Sequence, residues 1–368
     1  MPQTSFSFSQ QTFHQLKKNK LAFAGLIIII LSVFIALFGY IIAPDDSPFA
    51  DLQTVEIQAK KPGYEQQFLK VPQPKPSQGG WLYKAFLGST SQYSYLPISG
   101  HKVSGQTLVV DKYVDEDTTV QQQYSINQLT ANQPEKLEQQ IITKTFWLGT
   151  DAFGRDILSR LIIGTRVSLA VGLIAVIISL TLGILLGALA GYYRGWVDEV
   201  IMWLVNVTWS IPTLLLVFAI TMALGKGFWQ IFVAVGLTMW VSVARLVRGQ
   251  VMAIKELEYV QAAKALGFTN NRIMLRHILP NILGPLMVIA AGNFATAIII
   301  EAGLSFLGIG VQPPQPSWGL MIKENYNFII TNNPLLALIP GFAIMVLVLA
   351  FNLLGNGLRD AVDVKTNR

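Results

Sequence analysis

The chain has 368 residues, of which 52% are hydrophobic and only 13% charged, against about 25% charged in soluble domains. That deficit excludes an ordinary soluble domain, and the net charge of +6 comes without any nucleic-acid motif. Cysteine is absent, which excludes disulfide frameworks, thiolate nucleophiles and Cys-ligated metal sites.

Leu21–Ala43 is a run of 23 uncharged residues rich in Ile, Leu and Phe, preceded by Lys17, Lys18 and Lys20. About 20 such residues, rising roughly 1.5 Å each, cross a hydrocarbon core. A signal peptide has the same basic-then-apolar order, but its apolar core is about 7–15 residues and ends at a small-residue cleavage site. The run is therefore expected to be a retained first span. An insert follows, Pro44–Phe146, with 9 Lys against 11 Asp or Glu. It carries the punctuation VPQPKPSQGG, a β-leaning stretch Gln106–Val114 and a short helical pattern over Pro134–Ile142. About 100 residues suffice for a small domain; a partly extended segment is the other reading.

The chain then reads WLGTDAFGRDILSRLIIGTRVSLAVG. Arg155, Arg160 and Arg166 recur every five or six residues, a poor single helical stripe, so they face different surroundings. An interfacial helix whose arginines snorkel to head groups and pair with Asp151 and Asp156 is expected, with a substrate contact as the alternative. Apolar runs follow at Val167–Tyr192, Val200–Leu224 and Phe228–Val247.

Residues 255–281 read KELEYVQAAKALGFTNNRIMLRHILPN, too polar to span and too patterned for an irregular loop. The spacing predicts a helix over about Glu256–Leu266, with Glu256 and Glu258 in the first turn, where negative charge is favoured. Gly267 suits the left-handed residue after it, Thr269 can cap a second helix, and Pro280 opens the next segment. Such a unit presents one face to a partner helix or groove, or packs only on its own protein. Two further runs, Asn281–Ala302 and Pro334–Leu354, flank EAGLSFLGIGVQPPQPSWGLMI. There Glu301, an acid within an apolar helix, is a functional candidate as an outer gate or a paired structural carboxylate, and Trp318 suits an interfacial anchor.

Six spans put both termini on one side. With an inside N-terminus, the inside segments hold Lys17, Lys18, Lys20, Arg194, Arg245, Arg248, Lys255, Lys264, Arg272, Arg276, Arg359, Lys365 and Arg368. The short outside segments hold Arg155, Arg160, Arg166, Lys226 and Lys323. Thirteen against five sets the termini in the cytoplasm. The partition is then a cytoplasmic segment 1–20, a first span 21–43, an extracytoplasmic insert 44–146, a core 147–358 with five spans and a cytoplasmic loop 255–281, and a tail 359–368. The fold class is an all-α polytopic membrane protein with a mixed or β-leaning external insert.

The loop resembles the signature loop of permease subunits of inward-pumping ABC transporters: an acidic residue, two alanines, three residues, glycine, then Ile and His or Arg before Pro. Ala262, Ala263, Gly267, Ile273, His277 and Pro280 stand in register, with Tyr259 just before. Gln261 stands in place of the usual Glu, so any contact that depends on that charge is in question here. Gly149, Thr150, Asp151, Gly154, Arg155, Asp156, Arg160, Gly164, Arg166 and Ser168 resemble the segment that opens the core in the C-type subunit of dipeptide, oligopeptide and nickel importers, and FNLLGNGLRDAVD also fits. The resemblance runs from Leu148 to Asp363; the insert is larger than usual. It implies a six-helix permease core in a bacterial inner membrane that passes peptides, or else nickel chelates or another small solute. It also implies a second homologous permease, two ATPase subunits that carry ATP and Mg, and an external solute-binding protein; the insert's external position and size, not the resemblance, suggest that it caps the outer mouth or touches that protein. The loop would be the coupling helix seated in an ATPase groove.

No G-x-x-x-x-G-K-[ST] phosphate loop and no G-x-S-x-G elbow occurs. His14, His101 and His277 lie in separate regions, with no metal-ligand spacing. The chain is therefore read as no enzyme, with no metal and no cofactor of its own and no nucleic-acid partner. An ion-driven carrier would favour ionisable groups inside broken spans, and only Glu301 hints at that.

Overall fold

The computed structural model describes residues 15–73, 80–130, 132–225, 227–331 and 333–366, with side chains left out at 82 and 363–366. Residues 1–14, most of VPQPKPSQGG, Lys226, the Lys365 side chain and Arg368 lie outside that description. In chain order the elements are α1 (Lys20–Ile42), β1 (Tyr64–Pro72), α2 (Trp81–Leu87), β2 (Tyr93–Ser104), β3 (Thr107–Tyr113), β4 (Thr119–Ser125), α3 (Ile126–Leu129), β5 (Ile141–Phe146), α4 (Ile157–Tyr193) and α5 (Gly195–Ser210). Then come α6 (Thr213–Leu224), α7 (Phe228–Lys255), α8 (Glu258–Ala265), α9 (Asn270–Ile273), α10 (Leu283–Phe306), α11 (Trp318–Asn325) and α12 (Leu335–Thr366).

Among the described residues, five helical stretches are long and apolar enough to cross a membrane: Lys20–Ile42, Ile157–Tyr193, Phe228–Lys255, Asn270–Phe306 and Leu335–Val362. The expected third span, Val200–Leu224, is not one helix. It breaks between α5 and α6 with a 96° bend, and the count reaches six only if that pair is one span. Pro212 explains the break: the residue before a proline is pushed out of the α region, and Ile211 is extended at φ −94, ψ 129.

The chain divides into two compact units. The first comprises Met1–Val33, Ser168–Gln312 and Phe342–Arg368. Its helices approach closely through glycine: a Cβ on Gly25 of α1 would lie 2.6 Å from the Ala350 carbonyl of α12, and one on Gly357 would lie 2.2 Å from Ala22 Cβ. Where hydrocarbon surrounds both helices, small residues of this kind let dispersion contacts form.

The second unit comprises Phe34–Val167 and Pro313–Gly341 and contains the insert. The insert is a five-stranded antiparallel sheet in the order β4-β3-β2-β1-β5. β1 is buried on both faces. Leu69 packs with Ile98, Leu108, Val110, Ile126 and Leu129, while Phe68 on the opposite face meets Ile57 and Phe146. The β-leaning Gln106–Val114 is β3, and Pro134–Gln140 is a 3-10 turn.

Candidate functional site

The loop 255–281 belongs to the first unit and is built on that unit's own core. α8 buries Val260 and Ala263 against Val247, Val251, Ile254, Ile273, Ile278 and Ile282. It stops where the sequence predicts. The Phe268 N–H donates to the Ala263 carbonyl (3.2 Å) and the Gly267 N–H to the Lys264 carbonyl (3.0 Å), the paired bonds of a Schellman closure. Gly267 sits at φ +80, which a side-chain-bearing residue reaches only at a cost. Phe268 folds back against the same core, stacked 6.0 Å from the His277 ring and under the Arg272 guanidinium at 4.3 Å.

Thr269 occupies the cap position of α9 with extended backbone, but its side chain makes no capping bond. The second helix is not separate from the fifth span either. It passes through a π segment, Met274–Ile278, and a 3-10 turn, Leu279–Ile282, into α10. Pro280, which has no N–H to offer a regular turn, sits in that irregular stretch, and Ile273 is buried in the same core as Val260 and Ala263.

What remains exposed is Leu266 (76%), Leu275 (63%) and Tyr259 (45%), with Ala262 and Gln261 between. The Tyr259 hydroxyl accepts from Asn281 Nδ2 at 3.2 Å, and Asn281 Nδ2 also donates to the His277 carbonyl at 2.7 Å. Gln261 turns back into its own chain: Nε2 donates to the Lys255 carbonyl, the last of α7, at 2.9 Å. A glutamate could not make that bond, because a carboxylate only accepts. The base of the loop is tied to the end of α4. Lys255 Nζ donates to the Tyr192 carbonyl (2.6 Å), and the Tyr192 hydroxyl donates to Asn270 Oδ1 (2.8 Å).

The second unit holds the GTDAFGRD residues, and they form a clasp. Arg155 Nε donates to Asp151 (2.7 Å), Nη1 to Asp51 (3.1 Å) and Nη2 to Glu324 (2.6 Å). Arg160 reaches the same three carboxylates at 3.5, 3.6 and 3.2 Å. Both arginines are buried, at 2% and 1% exposure, so neither snorkels as expected; carboxylates replace the head groups. Burial alone would lower the Arg155 pKa, but the Asp151 and Glu324 carboxylates outweigh it and the group is raised. Asp156 pairs with no arginine: the backbone N–H (2.8 Å) and the hydroxyl of Ser159 both donate to its Oδ2. Burial pushes its carboxyl up.

Glycine and threonine complete the clasp. Gly149 and Gly154 lie at φ +82 and +72, with the Lys60 carbonyl 2.3 Å and the Thr54 carbonyl 1.7 Å from where a Cβ would stand. The Thr150 hydroxyl donates to the Ile57 carbonyl (2.5 Å). Arg166 stands apart, donating from Nη1 to the Phe86 carbonyl at 2.6 Å. A cavity of about 150 Å³ lies beside the clasp, lined by Asp45, Phe68, Lys144, Phe146 and Asp156 among others. Burial pulls the Lys144 ammonium down, and it sits 3.8 Å over the Tyr95 ring.

Trp318 is buried in this unit rather than standing exposed as an anchor. Its indole N–H donates to the Leu161 carbonyl at 3.0 Å, against Gly164. In the first unit, Glu301 is fully buried near the end of α10 and accepts from the Ser305 hydroxyl at 2.7 Å. Ser305 in turn accepts from the Val311 N–H at 3.0 Å, so the acid braces the turn that follows. Sequence reasoning missed Asp51 and Glu324, which lie 104 and 169 residues from Arg155 and carry no local signal. It also missed Gly183, Gly187 and Gly191, whose spacing of four is a readable one. No group of three or more His, Cys, Asp or Glu poised for a metal occurs among the described residues.

Residues 183–368 match the family described as binding-protein-dependent transport system inner membrane component, and residues 7–60 match the N-terminal TM domain of oligopeptide transport permease C. The chain is 44% identical over 219 residues to the glutathione transport system permease protein GsiD of Pectobacterium atrosepticum, which covers 60% of this chain and 72% of that one. It is 45% identical over 219 residues to the dipeptide transport system permease protein DppC of Alkalihalophilus pseudofirmus, with the same shares. Among solved structures, an inward facing conformation of the MetNI methionine ABC transporter is similar at 20% identity and a TM-score of 0.46, covering 55% of this chain and 96% of that one.

Proposed function

The chain belongs to the family of binding-protein-dependent transport system inner membrane components, and from that premise we propose that it is one of two permease subunits lining the path of an ATP-driven importer of short peptides. With several helices fit to span, it is an integral inner-membrane protein. The observation that carries the peptide reading is the identity to permeases named for a dipeptide and for glutathione, two substrates that share only the chemistry of a short peptide. ATP and Mg would be held by two ATPase partners, and an external binding protein would deliver the peptide. α5 and α6 together would make the sixth span, with both termini cytoplasmic by the charge bias.

Coupling would run through α8. Its apolar underside is spent on its own core, and its outer face, Tyr259, Ala262 and Leu266, is free for a groove in a partner. A partner that prefers one position of this helix biases the access equilibrium by its difference in affinity for the two states.

Co-purification with the ATPases and uptake of labelled di- and tripeptides test the proposal. Gly267→Pro cannot adopt φ +80 and removes the N–H that bonds Lys264. It is expected to abolish both association and uptake, while Gly267→Asn, which tolerates left-handed geometry, keeps most of each. Survival of both functions in the proline variant would end the coupling role.

A further inference from the structure

We propose that α2 docks the insert onto the outer leaflet, lying in the head-group region as an aromatic wedge. The helix reads WLYKAFL and exposes Trp81 at 74%, Tyr83 at 43%, Phe86 at 47% and Leu87 at 54%. Four large apolar side chains left in water on a seven-residue helix are costly in a soluble domain, and Trp and Tyr are the residues that settle at a membrane–water boundary. Lys84 supplies a cation of the kind that reaches phosphate oxygens.

Within its unit the helix is held at the level where a span ends. Arg166 of α4 donates to the Phe86 carbonyl at 2.6 Å. Gly88, directly after α2, packs so tightly on Pro48 that a Cβ would lie 2.9 Å from its backbone, and the Ser89 N–H donates to the Asp46 carbonyl at 2.7 Å. Those partners lie a few residues beyond Ile42, the end of α1. The adjoining part of α1 is a lipid-type face, with Phe34, Leu37, Phe38, Ile41 and Ile42 all exposed. Large apolar side chains are thus exposed both at the end of α1 and on α2, whose partners Asp46 and Pro48 follow that end within six residues, so lipid at the level of the span's end is within reach of α2. The contact with lipid needs only that α1 and α4 stand in a bilayer, and its assignment to the outer leaflet rests on the proposed cytoplasmic termini, so it survives or fails independently of the peptide-transport reading.

The chain has no cysteine, so single labelling sites are clean. Tyr83→Cys carries an environment-sensitive fluorophore, with Val103→Cys in β2, 58% exposed near the β2–β3 turn, as the aqueous comparison. The full chain is placed in nanodiscs of ordinary or chain-brominated phosphatidylglycerol and phosphatidylethanolamine. Blue-shifted emission at Tyr83, quenched at least twofold by brominated lipid, with neither effect at Val103, is expected. Two results overturn the proposal: a water-like, unquenched Tyr83 probe, or a blue-shifted probe that brominated lipid does not quench, which would mean that protein covers the helix.

Discussion

Gln261 offers the sharpest test of the loop. Its side chain bonds the last carbonyl of α7 at 2.9 Å, so Gln261→Ala removes one neutral hydrogen bond at an exposed position, worth about 1 kcal/mol. Gln261→Glu restores the residue common at this place in the resemblance, and it loses the same bond. The new carboxylate would face the negative end of α7, costing about 0.3–1 kcal/mol, but it would also stand in the first turn of α8, gaining about the same. The two dipole effects offset, which leaves both variants about 1 kcal/mol worse, or roughly fivefold in local opening. The amides that report it are Val260 and Gln261, both bonded to the Leu257 carbonyl. Hydrogen exchange in nanodiscs should show them about fivefold faster in both variants. Less than a twofold change in both would refute the capping role. Faster exchange in Ala alone would show that the dipole offset is misjudged.

Arg155→Ala leaves three carboxylates facing Arg160 alone around a buried site and is expected to cost about 3–5 kcal/mol, read as a large fall in the unfolding midpoint in detergent; Asp51→Asn, at the half-buried rim, keeps an acceptor for the arginines and should cost less, about 1–3 kcal/mol. Gly154→Ala drives a Cβ to 1.7 Å from the Thr54 carbonyl and should prevent folded protein from accumulating, whereas Gly267→Ala, with open space around it, should cost only about 1–2 kcal/mol of left-handed strain. Asp156→Asn removes a buried carboxyl whose charged form is penalised. Because the folded pKa lies above 3.8, that penalty is full above the folded value and gone below the unfolded one. The variant should therefore melt higher than the parent at pH 8, with the gain fading toward pH 4.

The apolar runs and the loop were legible because their causes are local: length, absence of charge, and a glycine at a helix end. The bend at Ile211 was legible in principle, since Pro212 stands mid-run, yet run length masked it. The clasp was not legible. Arg155 and Arg160 read as interfacial because nothing near them in sequence offers Asp51 or Glu324, and only the fold brings those carboxylates in. Nor does the sequence show that Thr54, Ile57, Ala59 and Lys60, at the start of the insert, are bonded to the segment from Thr150 to Phe153, so that the insert's first residues help build the clasp.

The glycines of α4 bear on how a push on α8 would travel. Gly183, Gly187 and Gly191 face α7 so closely that Cβ atoms would lie 2.4 Å from Val243 Cβ, 2.4 Å from the Ala244 carbonyl and 2.7 Å from the Arg248 carbonyl. Backbones in such contact cannot slide without opening voids, so α4 and α7 act as one stiff pair. Tyr192, adjacent to that seam, fixes both Lys255 and Asn270, so the near side of the loop is anchored to the pair. The far side runs through the π segment and Pro280 into α10. α10 meets α4 at Gly172 through the Phe294 side chain, a contact that a rotamer change can relieve. In the proposed role, a push on α8 would therefore reach the stiff pair directly, through Val260 and Ala263 packed on Val247, Val251 and Ile254, and would reach α10 through Met274–Ile282, where the hydrogen-bond ladder is already irregular.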